Sequence, residues 1–411
     1  MTHERSRGLL PGVLRDNSPD PERVTYVELF FDLVFAFAIT QVAGVVTDSP
    51  TLATIVEGTI VTLAIWWIWV YTTWATNWLN PDARSVLWLL FVLTAAGLVL
   101  SESIPAAFEE RRFTFVGAYL AYGLIRTLGV IAATRRNAPV IATGQYRILL
   151  WSGFSAIFWI GGAIVSDPAL RLGAWALAIL IEYVGPAALF WIPGLGRSTW
   201  DAWRIRGGHF SERAALFIII VLGESILVVG AGLTTERLTP PVVAAAICAF
   251  IDAVMLWFLY FAHGQDRGHQ YIKARESTGP VARLSYTYLH VVLVLGLVAT
   301  THGSHLALEE PLHHADLAES GLALIGPAIY LIGLYAFKRS IGIRTSWIPS
   351  HVGGATVLVI LFAVTASGLM DMTVLEASAA ATTVLILTVI GDEVLWRRRA
   401  RTGDDSTRPV N

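Results

Sequence analysis

Apolar runs of roughly 20 residues, broken by clusters of Gly, Pro, Asp and Arg, recur along the whole chain. A helix of about 20 apolar residues crosses the roughly 30 Å hydrocarbon core of a bilayer. The pattern predicts twelve spans. The first six are Val27–Val46, Ala53–Thr73, Val86–Ser103, Phe115–Ala133, Ile148–Val165 and Leu172–Trp191. The second six are Ala214–Leu233, Val242–Ala262, Tyr286–Thr301, Leu322–Phe337, Val352–Ser367 and Val374–Leu395. Pro186 in the sixth and Pro327 in the tenth are expected to kink their helices, because proline removes a backbone N–H and crowds the preceding turn. Neighbouring helices can satisfy the freed carbonyls, so neither proline vetoes a span.

Composition agrees with that pattern. The 411 residues are 55% hydrophobic and 15% charged, with mean hydropathy +0.60. Soluble domains are roughly 25% charged, so this chain lacks the polar surface to coat a soluble globule. A soluble enzyme, a disordered chain and a nucleic-acid binder are excluded as first readings, and a lipid bilayer is the expected partner. The single cysteine, Cys248, allows no internal disulfide. Residues 1–23 have no apolar core, so no cleavable signal peptide is expected. The phosphate-binding patterns G-x-x-x-x-G-K-[ST] and G-x-G-x-x-G are absent where they would be needed, as is H-E-x-x-H. No cofactor is expected, and an ATP-driven pump or a zinc protease is disfavoured.

Charge placement orients the spans. If they alternate, 24 of the 29 Lys and Arg residues fall on the side of the N-terminus. Arg111, Arg112, Arg171 and Arg237 fall on the other, and Arg126 lies inside a span. The positive-inside rule then puts both termini in the cytoplasm.

Internal similarity suggests a duplication. Glu28 opens the first span and Glu212 precedes the seventh. Trp67-Ile68-Trp69-Val70-Tyr71 in the second is echoed by Trp257-Phe258-Leu259-Tyr260-Phe261 in the eighth. Glu182 lies late in the sixth span, and Asp392 and Glu393 lie late in the twelfth. The expected organisation is a cytoplasmic segment 1–26, a six-helix repeat 27–191, a basic linker 192–213, a second repeat 214–396 and a cytoplasmic tail 397–411. An even number of spans per repeat makes the two repeats parallel.

The candidate chemistry lies in the acids that recur within spans: Glu28, Asp32, Glu57, Glu182, Glu224, Asp252, Asp392 and Glu393. A charged group at mid-helix costs on the order of 2.5–3.5 kcal/mol on insertion scales and is normally paired or turned toward water. Glu28 and Asp32, four residues apart, share one helical face. Arg126 is expected to join them in one buried cluster. Two readings stand: ion pairs that hold helices together, or a relay for a proton or small cation. Thr40–Gln41 in the first span and Glu224–Ser225 in the seventh either face a shared interior or bond back to their own helices.

Trp67, Tyr71, Trp74 and Trp78 form a stripe on the second span, while Trp66 and Trp69 lie off it and are expected to meet lipid. His290, one turn after Tyr286, is either a proton partner or a hydrogen-bonded core histidine. His302 and His305 have the spacing of a metal pair but no cysteine beside them. The metal question stays open.

The run Glu28-Leu29-Phe30-Phe31-Asp32-Leu33-Val34-Phe35-Ala36-Phe37-Ala38-Ile39-Thr40-Gln41 resembles the opening signature of the bacterial low temperature requirement A (LtrA) family. Glu212-Arg213, Leu216-Phe217 and Ile220-Val221-Leu222-Gly223-Glu224-Ser225 resemble its second motif. The aromatic second span and Ser285-Tyr286 to His290 are similar as well. The resemblance covers nearly the whole chain and implies a multi-pass protein of the bacterial inner membrane. More distantly, Phe31-Asp32 and the residues to Thr40 resemble the first-helix FSD signature of the two-repeat endolysosomal potassium channels. Phe31 stands where the channels have serine, and Leu216 stands where the second repeat would have aspartate. That likeness implies a path near the repeat axis.

The resulting expectation is an all-α polytopic membrane protein, more readily a non-enzyme, that passes a small ion or solute. The candidate polar network is Glu28, Asp32, Thr40, Gln41, Arg126, Glu182, Glu224, Ser225, Asp252, Tyr286 and His290. A proton or small cation is the candidate passenger. The alternatives are a membrane enzyme or lipid-handling protein that uses the buried acids with His290, and a structural or stress-adaptation factor without turnover.

Overall fold

The computed structural model describes residues 12–15, 24–46, 50–235, 237–262, 264–275, 277–342 and 348–402. The expected N-terminal segment, the loop with Arg344 and the end of the tail lie largely outside them. The described residues form helices α1 (Tyr26–Val46), α2 (Leu52–Trp78), α3 (Arg84–Ser103), α4 (Arg112–Thr134), α5 (Pro139–Ile164) and α6 (Pro168–Ala187). Then come α7 (Gly207–Thr235), α8 (Pro240–Phe261), the short α9 (Gln265–Lys273), α10 (Gly279–Glu309) and α11 (Leu317–Ser340). The last two are α12 (Ile348–Ala366) and α13 (Val374–Thr402). Eleven helices are long and apolar enough to cross a membrane, and Ser350–Ala366 is a shorter apolar helix. Each falls on one of the twelve predicted runs. The protein is an all-α polytopic membrane protein.

Local chemistry sets the helix ends. Asp167 caps α6 by accepting from the Leu170 N–H at 2.9 Å, and Pro168 follows at a position where no N–H is needed. Asp316 and Glu319 form a reciprocal capping box at the start of α11. Pro186 sits one residue before the end of α6, where it ends the helix. Beyond it Leu189 and Phe190 take left-handed backbone angles, φ 52° and 48°. This reversal returns the Phe190 N–H to the Gly185 carbonyl at 2.8 Å and lays the ring where a side chain at Gly185 would stand. Pro327 likewise lies in the first turn of regular α-helix after a π-helical stretch, Gly321–Ile325. Its missing N–H is accommodated there by the wider turn.

Packing groups the chain into two units, Met1–Ala38 with Trp67–Phe210, and Ile39–Trp66 with Ser211–Asn411. Helices α1 and α2 each contribute to both. The first unit is built on aromatic rings. Trp159 and Trp175 are fully buried, 5.3 Å apart between ring centres, with Phe115 and Tyr119 against them. The second relies on close backbone approach. A Cβ on Gly296 of α10 would come within 2.5 Å of the Tyr330 nitrogen on α11. Helix α10 also contains a π-helical stretch, Ala282–Tyr288.

Trp66 and Trp69 do not face lipid as expected. Both are fully buried. The Trp69 indole N–H donates to Asp32 Oδ1 at 2.9 Å, and that of Trp66 to the Thr287 carbonyl at 3.0 Å. An indole donor has no acceptor in hydrocarbon, and inside the protein each finds one.

Candidate functional site

Within the first unit two buried acids, Glu28 and Glu182, are densely supplied with donors. Glu28, in the first turn of α1, is fully buried. Arg15 Nη2 lies 3.1 Å from its Oε1 and His209 Nε2 lies 3.0 Å away, while the Thr25 backbone N–H and hydroxyl each donate to Oε2 at 3.0 Å. Arg15 is itself held by the carbonyls of Thr76 and Leu79. Asp32, one turn further on, receives Trp69. Glu182 accepts from the Tyr119 hydroxyl at 2.5 Å and from Ser155 and Trp159 at 2.9 Å each.

Arg126 does not join Glu28 and Asp32. Its guanidinium lies over the Tyr71 ring, 4.8 Å from the centre, and lines a cavity with Glu182. Glu28 has its cation from elsewhere, Arg15, with the His209 ring beside it. Charge counting had placed Arg15 among solvated loop cations, and His209 carried no signal, because hydropathy windows report helices and not tertiary partners.

Within the second unit the arrangement is sparser. The C-terminal part of α1 and the middle of α7 meet where Thr40 Oγ1 donates to Glu224 Oε2 at 2.5 Å. Glu224 is 6% exposed, and Thr40 is its hydrogen-bond donor among the described residues. Next to it Ser225 shares a 2.6 Å hydrogen bond with Thr301 of α10. The Thr301 hydroxyl also lies 3.0 Å from the Leu297 carbonyl, so Thr301 donates there and Ser225 donates to it. Gln41 is half-buried and outside these bonds.

One residue beyond Thr301, His302 is buried, with Nδ1 2.6 Å from the Val298 carbonyl. It borders a cavity of about 40 Å³ together with Gly58, Thr59 and Thr62 of α2. About 10–15 Å³ on this measure holds one water, so the space admits a water or a small ion. His305 lies close enough to act electrostatically on Glu224. No group of three or more metal-ligating side chains occurs among the described residues.

The remaining candidates lie apart from this cluster. Asp252 of α8 is 3% exposed, and its Oδ1 has no hydrogen-bond partner among the described residues. His290 Nδ1 lies 2.7 Å from the Ser285 carbonyl and Nε2 2.8 Å from the Tyr260 hydroxyl. The carbonyl requires an N–H at Nδ1, and in the neutral ring Nε2 then accepts from the Tyr260 hydroxyl. Tyr286 stacks on it at 5.0 Å. A second polar knot escaped the sequence reading. Lys338 Nζ lies 3.3 Å from Asp392 Oδ2 and 3.2 Å from His351 Nε2, all buried. Lys338 directly follows the predicted span Leu322–Phe337 and so fell outside it.

A carboxylate held by one hydroxyl in an apolar bundle needs a proton, a cation or water to offset its burial. Such a site can take up and release a small positive species. Fold and site together define a polytopic helical membrane protein with ionisable groups inside its bundle.

The chain belongs to the bacterial low temperature requirement A (LtrA) family, whose signature matches residues 23–390. It is 35% identical over 356 residues to an uncharacterised protein of Rhizobium meliloti (strain 1021), an alignment covering 85% of each chain. No solved structure matches it.

Proposed function

We propose that this LtrA protein passes a proton or small cation across the bacterial inner membrane, and that Glu224 binds the passenger. One observation carries this reading: Glu224 is buried at the middle of an apolar helix with a single hydroxyl among the described residues, that of Thr40, bonded to it. The adjacent Ser225 is bonded to Thr301, which adds a polar pair beside it. Asp252, with an unsatisfied oxygen, is a second place where a positive species is stabilised. The concentration of Lys and Arg on the side of the N-terminus supports cytoplasmic termini. The repeated motifs support descent from a six-helix unit.

Purified protein in liposomes tests this directly, with flux measured across H⁺, Na⁺ and K⁺ gradients. The wild-type chain is expected to carry at least one of them, and Glu224→Gln to lower that flux at least tenfold. Protein-free rates with the wild-type chain for all three ions would refute the proposal. So would an unaltered rate and selectivity in Glu224→Gln.

A further inference from the structure

The first unit contains a cavity of about 180 Å³ between α2, α4, α5 and α6. Trp67, Tyr71 and Tyr119 form an aromatic wall, and Arg126 and Glu182 bring the charge. The acid is already engaged by Tyr119, Ser155 and Trp159. The arginine is not similarly engaged. Although only 5% exposed, it makes one hydrogen bond, 3.5 Å long, to the hydroxyl of its neighbour Thr127. A guanidinium carries five N–H donors in a planar fork. No carboxylate lies within hydrogen-bond distance of that fork among the described residues, since Glu182 in the same cavity is bonded to Tyr119, Ser155 and Trp159 instead.

The cavity opens between α4 and α5, past Gly123 and Leu124 on one helix and Gly153 and Ala156 on the other. Leu124, Leu128, Leu150, Phe154 and Ile157 face outward around this mouth. These side chains suit hydrocarbon, so a ligand using the mouth comes from within the bilayer. Arg126 stands eight residues before the end of α4, about 12 Å along the axis at 1.5 Å per residue. A side chain added at Gly123 or Gly153 would meet nothing within 4 Å, so both glycines leave the mouth open.

We propose that this cavity binds the head of a long-chain carboxylic acid drawn from the surrounding lipid, with Arg126 holding both carboxylate oxygens. Fork-to-fork pairing of this kind is the geometry in which arginine binds a carboxylate most strongly. The volume fits a single-chain acid. A cavity of about 150 Å³ admits benzene, so about 180 Å³ takes a carboxyl group and its first few carbons but not a two-chain glycerophosphate. The remaining chain leaves between Gly123 and Gly153 into hydrocarbon. Glu182 lies near enough to repel the bound carboxylate, which makes a sign test available. This site lies within the first unit and is independent of the role of Glu224.

The test is binding of radiolabelled palmitate to the full chain in phosphatidylcholine nanodiscs. One saturable palmitate per chain is expected, displaced neither by hexadecanol nor by millimolar acetate. Arg126→Gln and Gly153→Leu should each weaken binding at least tenfold, and Glu182→Gln should tighten it. Leucine is a better helix former than glycine and leaves Arg126 in place, so Gly153→Leu keeps the test valid if Arg126→Gln fails to fold. Undiminished binding in Gly153→Leu, or equal competition by hexadecanol, would overturn the proposal. Displacement by acetate would make the ligand a free aqueous anion and overturn it too.

Discussion

Glu182 and Glu224 both sit deep in apolar helices, 8% and 6% exposed, and sequence alone hardly distinguishes them. Glu182, in the first unit, accepts three hydrogen bonds from a tyrosine, a serine and a tryptophan. Glu224, in the second, accepts one, from a threonine. The contrast holds between individual acids and not between whole units, since Asp392 in the second is held by Lys338. In the first unit Glu28 is enclosed by Arg15, His209 and Thr25, whereas Asp252 in the second keeps an oxygen without a partner among the described residues. Burial is therefore a poor guide to role in this protein. An acid ringed by fixed donors is already stabilised and braces the helices that supply them. An acid with few donors keeps more of the cost of its burial uncompensated.

The largest effect is expected where the donors are densest. Glu28→Ala leaves the half-buried Arg15 without its counter-charge and the buried His209 without its carboxylate partner, a loss that approaches the cost of a broken buried pair, about 3–5 kcal/mol. Thermal unfolding in detergent should show a large loss, with reduced folded yield. An unchanged melting temperature would mean that the ring of donors around Glu28 carries no stability, and the comparison would collapse on its first side.

Trp69→Phe is milder. It keeps most of the packing and removes only the indole N–H from Asp32. Losing a hydrogen bond to a charged group costs about 1.5–3 kcal/mol. The same melting experiment should place this variant between the wild-type chain and Glu28→Ala. A loss as large as that of Glu28→Ala would assign the stability to the tryptophan's shape and not to its donor.

The sequence conveyed the helices better than their partners. Every described span falls on a predicted apolar run because hydropathy is a local property, summed over neighbours in the chain. Pro186 and Pro327 show where local reasoning slipped. Each sits within an apolar run, but one ends α6 and the other follows a π-helical stretch, which no periodicity announces. The acids themselves were legible as misplaced charges in hydrocarbon. Their partners were not, because Arg15, His209 and Lys338 lie at the polar margins of apolar runs and read as loop residues. Trp66 and Trp69 were misassigned for a related reason. A stripe marks the face richest in aromatic rings, but α2 is buried on its other faces as well.

The smallest effect on stability is expected at Glu224, and there the comparison is tested most sharply. In Glu224→Gln the retained oxygen can still accept from Thr40, while the cost of burying a charge disappears. One charge-assisted hydrogen bond becomes a neutral one, a loss of roughly 1 kcal/mol, offset by that relief. The melting temperature should therefore move little, by the equivalent of less than about 1 kcal/mol. The same exchange at Glu182 replaces an acceptor oxygen by an NH₂ group facing three donors, so at least one donor must turn away or lose its partner. A buried donor left unsatisfied costs about 1–3 kcal/mol, and Glu182→Gln should melt measurably lower than Glu224→Gln. Measuring both variants side by side in one detergent cancels the effect of the micelle. If Glu224→Gln proves the more damaging, then Glu224 braces α1 against α7 just as Glu182 braces its own helices. The sparse donors around Glu224 would then no longer mark a site for anything that moves.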